Sequence, residues 1–194
     1  MPAETPQSYF RRSCDALQRA ADDPALQAVI ASVADRIIQS LQQGGKIMLA
    51  GNGGSAADAQ HIATEIVVRF RIDRAPLAAI ALTTDTSALT AAGNDYGFER
   101  IFERQLRGLG RRGDVFIAIS TSGRSPNVLA ALRAAREMGV VTVGFTGEKG
   151  ADMRPLCDFL VAAPSEETAL IQQMHITALH AICGVVESGM FGAK

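Results

Sequence analysis

Lys46-Ile-Met-Leu-Ala50, then Gly51-Asn-Gly-Gly-Ser55, then an apolar-striped run over 56–70 spell a strand, a tight turn and a helix. Some seventy residues later the order repeats. Val115-Phe-Ile-Ala-Ile119 reads as a strand, Ser120-Thr-Ser-Gly-Arg-Ser125 as the turn, and 126–138 as the helix. Each elbow sets glycines or hydroxyl residues at the start of a helix, where the first N–H groups lack partners and the dipole is positive. Phosphates and other anions are well held at such a place. Neither elbow carries the lysine of a P-loop, which argues against a nucleoside triphosphate. A small phosphorylated ligand, a sugar first of all, fits better.

Around the elbows, apolar runs alternate with helical periodicity. Leu77–Leu82, Val140–Thr146 and Cys157–Ala162 read as further strands, and 86–92, 99–109 and 168–190 as helices. The strand runs are apolar throughout rather than alternating, as in a parallel sheet covered by helices on both faces. The expected fold is α/β: a mostly parallel sheet flanked by helices, a flavodoxin-like three-layer sandwich with extra N-terminal helices. The extra helices fill 1–45 and the α/β core 46–194, all within one domain. Asp23-Pro24 caps the second leading helix, which runs to Gln43 and stops at Gly44-Gly45. Its stripe of Leu26, Val29, Ile30, Val33, Ile37, Ile38 and Leu41 is suited to burial, and another subunit is the expected partner.

The 194 residues carry a formal net charge of −1, so no strong field draws nucleic acid or an anionic membrane. With 47% hydrophobic residues the chain is a folding one. Cys14, Cys157 and Cys183 are scattered, which suits reduced thiols in the cytoplasm. Neither a basic-then-apolar leader nor a run of about 18 uncharged apolar residues is expected from the pattern.

Chemistry concentrates on two helices. His61 and Glu65 stand one turn apart on the helix leaving the first elbow, a spacing that suits half a metal site or an acid/base pair. The last helix adds Gln172, His175 and His180, with His175 read as a packed or capped histidine. Gly51-x-Gly53-x-x-Ala56 formally fits a dinucleotide fingerprint, but Asp73 and Asp85 both miss the place of its acidic partner. Gly93-Asn94-Asp95 reads by spacing as a helix terminus and turn. Arg69, Arg71 and Arg74 form a small basic cluster.

On Ala50–His61, Ala81–Asp85, Gly93–Asp95, Ser120–Ser125, Ile171-Gln172 and His180, the chain resembles the sugar isomerase (SIS) domain superfamily. It is most similar to the bacterial phosphoheptose isomerase branch, along nearly its whole length. The resemblance implies an aldose–ketose isomerase that takes sedoheptulose 7-phosphate to D-glycero-D-manno-heptose 7-phosphate through an enediol, at the start of lipopolysaccharide-core heptose synthesis. It makes Asn52, Gly53, Gly54 and Ser55 the first substrate loop. Asn94 and Asp95 become a substrate-contacting pair, against the spacing-based reading. Ser120, Thr121, Ser122 and Ser125 become the phosphate loop, with Gln172 and Glu65 also touching substrate. His61, Glu65, Gln172 and His180 match the zinc positions, one ion per subunit, and Glu65 with His180 the acid/base pair. A homotetramer with active sites between subunits is implied as well.

Three rivals share the pattern. One is a non-enzymatic paralogue that binds the replication initiator DnaA, which lacks the full His/Glu/Gln/His set kept here. Another is a sugar-phosphate-sensing module of the kind fused to regulators, and this chain shows no DNA-binding segment. The third is an isomerase of a different sugar phosphate.

Overall fold

Parallel strands cannot be joined by tight hairpins, so each must be followed by a crossover that packs on one face of the sheet. The computed structural model, which describes residues 4–150 and 152–192, follows this rule throughout. The N-terminal reading at Met1-Pro-Ala lies outside the described residues. Helices α1 (Pro6–Ala21) and α2 (Pro24–Gln42) precede β1 (Ile47–Gly51) and α3 (Gly54–Val67). Then come β2 (Ala79–Ala81), α4 (Thr86–Tyr96), a 3-10 turn, and α5 (Ile101–Leu109). The second half holds β3 (Val115–Ile119), α6 (Pro126–Met138), β4 (Val141–Gly147), β5 (Phe159–Ala163) and α7 (Thr168–Phe191).

The sheet has the order β2-β1-β3-β4-β5 and all neighbours are parallel. Chain direction across the sheet reverses between β1 and β3, which pair from Ile47↔Val115 to Gly51↔Ile119. At such a reversal two successive crossovers leave for opposite faces and a crevice opens at the strands' carboxyl ends. Both elbows border this crevice.

Every residue of β1 and β3 is buried, and alternation divides them between two cores. Ile47, Leu49, Val115 and Ile117 pack with Val33 and Ile37 of α2, Ile62 and Ile66 of α3, and Leu179 and Ile182 of α7. Met48, Ala50, Phe116 and Ala118 face Phe102 and Leu106 of α5 and Val128 and Leu132 of α6. At the other end of the central strands, buried Asp114 accepts from the Lys46 backbone N–H (3.0 Å), Lys46 Nζ (2.6 Å) and the Arg111 N–H (2.8 Å). One carboxylate thus pins the start of both β1 and β3.

Two expectations need correction. Gly93, Asn94 and Asp95 do not end a helix; α4 runs through them to Tyr96 and Gly97 (φ +88°) ends it. The α2 stripe also turns inward: Val33 and Ile37 lie in this chain's own core rather than awaiting another subunit. The exposed apolar side chains of the leading helices sit instead on α1, Phe10 (70% exposed) above all. By length and composition α7 could cross a membrane. It packs against α2, α3 and the sheet and buries His175 and Glu187, as a core helix does.

Ile37→Ala should therefore cost the isolated chain about 2–5 kcal/mol, the usual loss for emptying a buried aliphatic site. Phe10→Ser should stay within about 0.5 kcal/mol. Urea denaturation of both variants checks the contrast.

Candidate active site

Gly51 closes β1 against Ser55, whose Cβ would fall 2.8 Å from a side chain at position 51. Gly53 takes φ +57°, a region L side chains rarely adopt, and caps α3 with no side-chain bond. The second elbow repeats the device. Ser120 is buried, continues the ladder through its N–H to the Phe145 carbonyl (2.9 Å), and meets the Ser125 hydroxyl at 2.9 Å. Ser125 precedes α6 without capping it. Gly123, at φ +67°, lies where a Cβ would meet Gly150 Cα at 2.6 Å. Neither helix start is capped by the side chain of the residue before it. The Ser55 and Ala56 N–H groups turn back to the Asn52 and Gly53 carbonyls, and α6 opens on Pro126, which has no N–H.

A reciprocal pair of carboxamides joins the two elbows. Asn52 Nδ2 donates to Asn127 Oδ1 (2.9 Å), and Asn127 Nδ2 donates back to Asn52 Oδ1 (2.8 Å). Asn127 Oδ1 also accepts the Val128 N–H (2.9 Å). Asn127 is buried and is a site-forming residue that sequence reading misses, because its partner lies 75 positions away.

Two clefts flank this clamp. One, of about 440 Å³, is lined by Gly51, Asn52, Gly53, Thr83, Gly93 and Phe98 among others. Asn94 and Asp95 do not line it; they stand exposed on the last turn of α4, Asn94 Nδ2 donating to Asp95 Oδ1 at 2.8 Å. The other, of about 200 Å³, is lined by Thr121, Ser122, Arg124, Lys149, Ser165 and Thr168 among others. Glu148 and Glu166 line it too, Lys149 Nζ donating to Glu166 Oε2 at 2.5 Å and Arg124 Nε lying 3.8 Å from Asp152 Oδ2. Its hydroxyls and the start of α7, rather than net positive charge, are therefore what suit it to a phosphate. From this second cleft α7 leads to the remaining residues. Gln172 lies against the head of α3, where a Cβ on Gly54 would fall 2.6 Å from its Nε2.

Two turns further on, α7 brings His180 to α3. His61 Nε2 and His180 Nε2 stand 2.9 Å apart, and Glu65 Oε1 is 3.4 Å from His61 Nε2. The ligand atoms of all three residues lie within 4.8 Å of one another. Two imidazoles and a carboxylate converging on one point fit a divalent ion such as zinc. Asp58, one turn before His61, adds a second carboxyl that sequence reading misses. Burial raises its pKa, against the opposing pull of His61 and His180, and its buried Oδ2 has no hydrogen-bond partner. An orphaned oxygen beside this cluster suits a positive charge nearby.

His175, by contrast, is fully buried and packed outside the cluster. Its ring stands edge-on to Phe145, and Nε2 donates to the Thr146 carbonyl (3.0 Å). That bond ties α7 to the end of β4. Burial lowers its pKa to about 4, although the bond to Thr146 pulls the other way.

The chain matches the SIS domain family over residues 8–147. It is 57% identical over 183 residues to the phosphoheptose isomerase of Bradyrhizobium sp. strain BTAi1, covering 94% of this chain and 92% of the relative. The solved phosphoheptose isomerase of Neisseria gonorrhoeae superposes with a TM-score of 0.88 at 44% identity, covering 94% of this chain and 96% of that one. That of Francisella tularensis gives 0.90 at 36% identity, with the same coverage.

Asn127→Leu should strand the Asn52 carboxamide and loosen both elbows, lowering kcat/KM for the phosphorylated substrate by roughly tenfold or more, at 1–3 kcal/mol per unsatisfied buried group. Steady-state kinetics checks this. His175 stays neutral when folded but takes up a proton below about pH 6.5 when unfolded, so its contribution is full above that pH and lost as pH falls toward 4. The slope should approach about 1.4 kcal/mol per pH unit across that window. Denaturation of wild type and His175→Gln between pH 4 and 7 measures it.

Proposed function

Because the chain belongs to the SIS-domain family, and within it to the phosphoheptose isomerases, we infer that it interconverts sedoheptulose 7-phosphate and D-glycero-D-manno-heptose 7-phosphate. The observation that carries the reading is the convergence of His61, Glu65 and His180 on one point, where the helix leaving the first elbow meets the helix leading away from the hydroxyl-lined cleft.

The reaction moves one carbon-bound proton from C1 of the ketose to C2 of the aldose and shifts a proton between their oxygens, through an enediol. Glu65 is the base that takes and returns the carbon proton, and His180 serves the oxygens. The 120–125 loop holds the phosphate with Ser120, Thr121, Ser122 and Ser125, remote from the reacting carbons, so its binding energy is used for positioning. Asn52, Gly53, Gly54 and Ser55 at the head of α3, with Gln172 against it, orient the sugar; the substrate contact that the resemblance gives Asn94 and Asp95 has no counterpart in the cleft lining, both standing exposed at the end of α4. His61, Glu65 and His180 would hold a zinc ion, one per subunit, with Gln172 as the fourth ligand that the resemblance adds. When bound, the ion polarises the carbonyl and stabilises the enediolate charge. Eight residues separate Gln172 from His180, about 12 Å of helix rise, so both reach one ion only by leaning together or across two copies of the chain. A homotetramer with active sites between subunits accommodates the second arrangement. The reading places the enzyme in the cytoplasm, at the first step toward the lipopolysaccharide-core heptose, with neither nucleic acid nor membrane as partner.

Glu65→Gln keeps the size and removes the basicity, so kcat should fall by about two to four orders of magnitude with the fold intact. Replacing Ser120, Thr121 and Ser125 by Ala should instead raise KM, each charge-assisted bond being worth roughly 1–2 kcal/mol. Assay with sedoheptulose 7-phosphate, with and without a chelator, decides both. Full turnover by the metal-free Glu65→Gln protein would overturn the reading.

A further inference from the structure

The end of α3 is held by a buried ion pair that the reaction itself does not use. The last carbonyls of a helix need partners from outside it. Arg74 supplies them: Nη2 donates to the Glu65 carbonyl (2.9 Å) and Nη1 to the Ile66 carbonyl (2.8 Å). Its Nε donates to Glu187 Oε1 of α7 at 3.2 Å. Glu187 in turn accepts the backbone N–H groups of Phe70 (3.0 Å), Arg71 (2.8 Å) and Ile72 (3.2 Å). The two side chains are only 2% and 5% exposed. Burial alone would raise the Glu187 carboxyl, but the three N–H groups and Arg74 outweigh it and hold it below the usual carboxylate range. A buried pair of this kind is weak evidence for stability, since desolvation offsets its attraction.

Its two ends, however, land on the cluster. One reaches the backbone of Glu65. The other fixes the 70–72 turn, whose Phe70 ring stacks on His180 with centroids 5.7 Å apart and planes 22° from parallel. The Arg71 guanidinium lies 4.9 Å from the centroid of the same ring. An offset aromatic stack restricts the tilt of both rings.

We propose that Phe70, Arg74 and Glu187 are positioning residues for the His61, Glu65 and His180 cluster: the ion pair fixes the Glu65 turn and the Phe70 stack fixes the His180 ring. The proposal rests on reading that cluster as the reacting centre. Groups behind a metal site that orient its ligands typically change affinity or activity 10–100-fold when removed.

The test uses the full-length protein, stripped of metal and reloaded with Co²⁺ or Zn²⁺, with Phe70→Leu, Phe70→Tyr and Arg74→Lys beside wild type. Chelator competition gives metal affinity, the visible spectrum of the Co²⁺ form reports ligand geometry, and assays with sedoheptulose 7-phosphate separate kcat from KM. Phe70→Leu and Arg74→Lys should each weaken Co²⁺ binding about tenfold or more, shift its spectrum and lower kcat. KM should stay within about twofold, the phosphate loop being untouched, and Phe70→Tyr should restore wild-type values. Variants that melt earlier yet bind Co²⁺ and turn over like wild type would overturn the proposal, as would a rise in KM alone. If wild type itself binds no metal, the metal reading of the centre fails instead. The kcat comparison then decides: a fall rescued by Phe70→Tyr supports positioning, and an unchanged kcat overturns it.

Discussion

All five strands run the same way, and this one constraint places everything else. A parallel ladder puts every strand's carboxyl end on one edge, so each following helix begins there with its unpaired N–H groups. The reversal of order between β1 and β3 then sends α3 and α6 to opposite faces and leaves the crevice between their starts. The chain need only choose what to put at two turns. It puts glycines and an asparagine at one, and hydroxyls at the other.

The central strand pair is fastened at both ends by polar side chains. Asp114 ties the starts of β1 and β3, and the Asn52–Asn127 pair ties the elbows beyond their ends. Between them the strands are apolar and fully buried, and apolar contact is non-directional. Directional bonds at the two ends add to the backbone ladder that sets the register from Ile47↔Val115 to Gly51↔Ile119. The two elbows are thereby kept at a fixed separation, as a ligand held at both would require.

What could be read from the sequence was what is local. Each elbow is a contiguous strand, turn and helix, so the β3 and α6 boundaries stand where the pattern set them and those of β1 shift by one residue. His61 and Glu65 were legible for the same reason, being one turn apart. Asn127, Phe70, Arg74 and Glu187 were not, because each acts through partners that only the folded chain brings near. Gly93 misled because glycine usually marks a helix end. Here α4 keeps its course through Gly93, which forms part of a cleft wall. The α2 stripe was recognised as apolar, but a stripe does not say what covers it; α7, more than a hundred residues away, does.

That same dependence on α7 has a consequence for how the chain is made. β1 lacks its second neighbour until residues 115–119 exist, and α3 lacks its cover until residues 168–191 do. On a ribosome the first half of the protein would emerge with β1 open along one edge, Arg74 without Glu187 and His61 without His180. Contacts so distant in sequence are slow to close and expose apolar surface while they wait. α7, which follows the other described helices, completes the core and brings His180 to His61 in one step, so the nascent chain assembles this cluster only once α7 has packed.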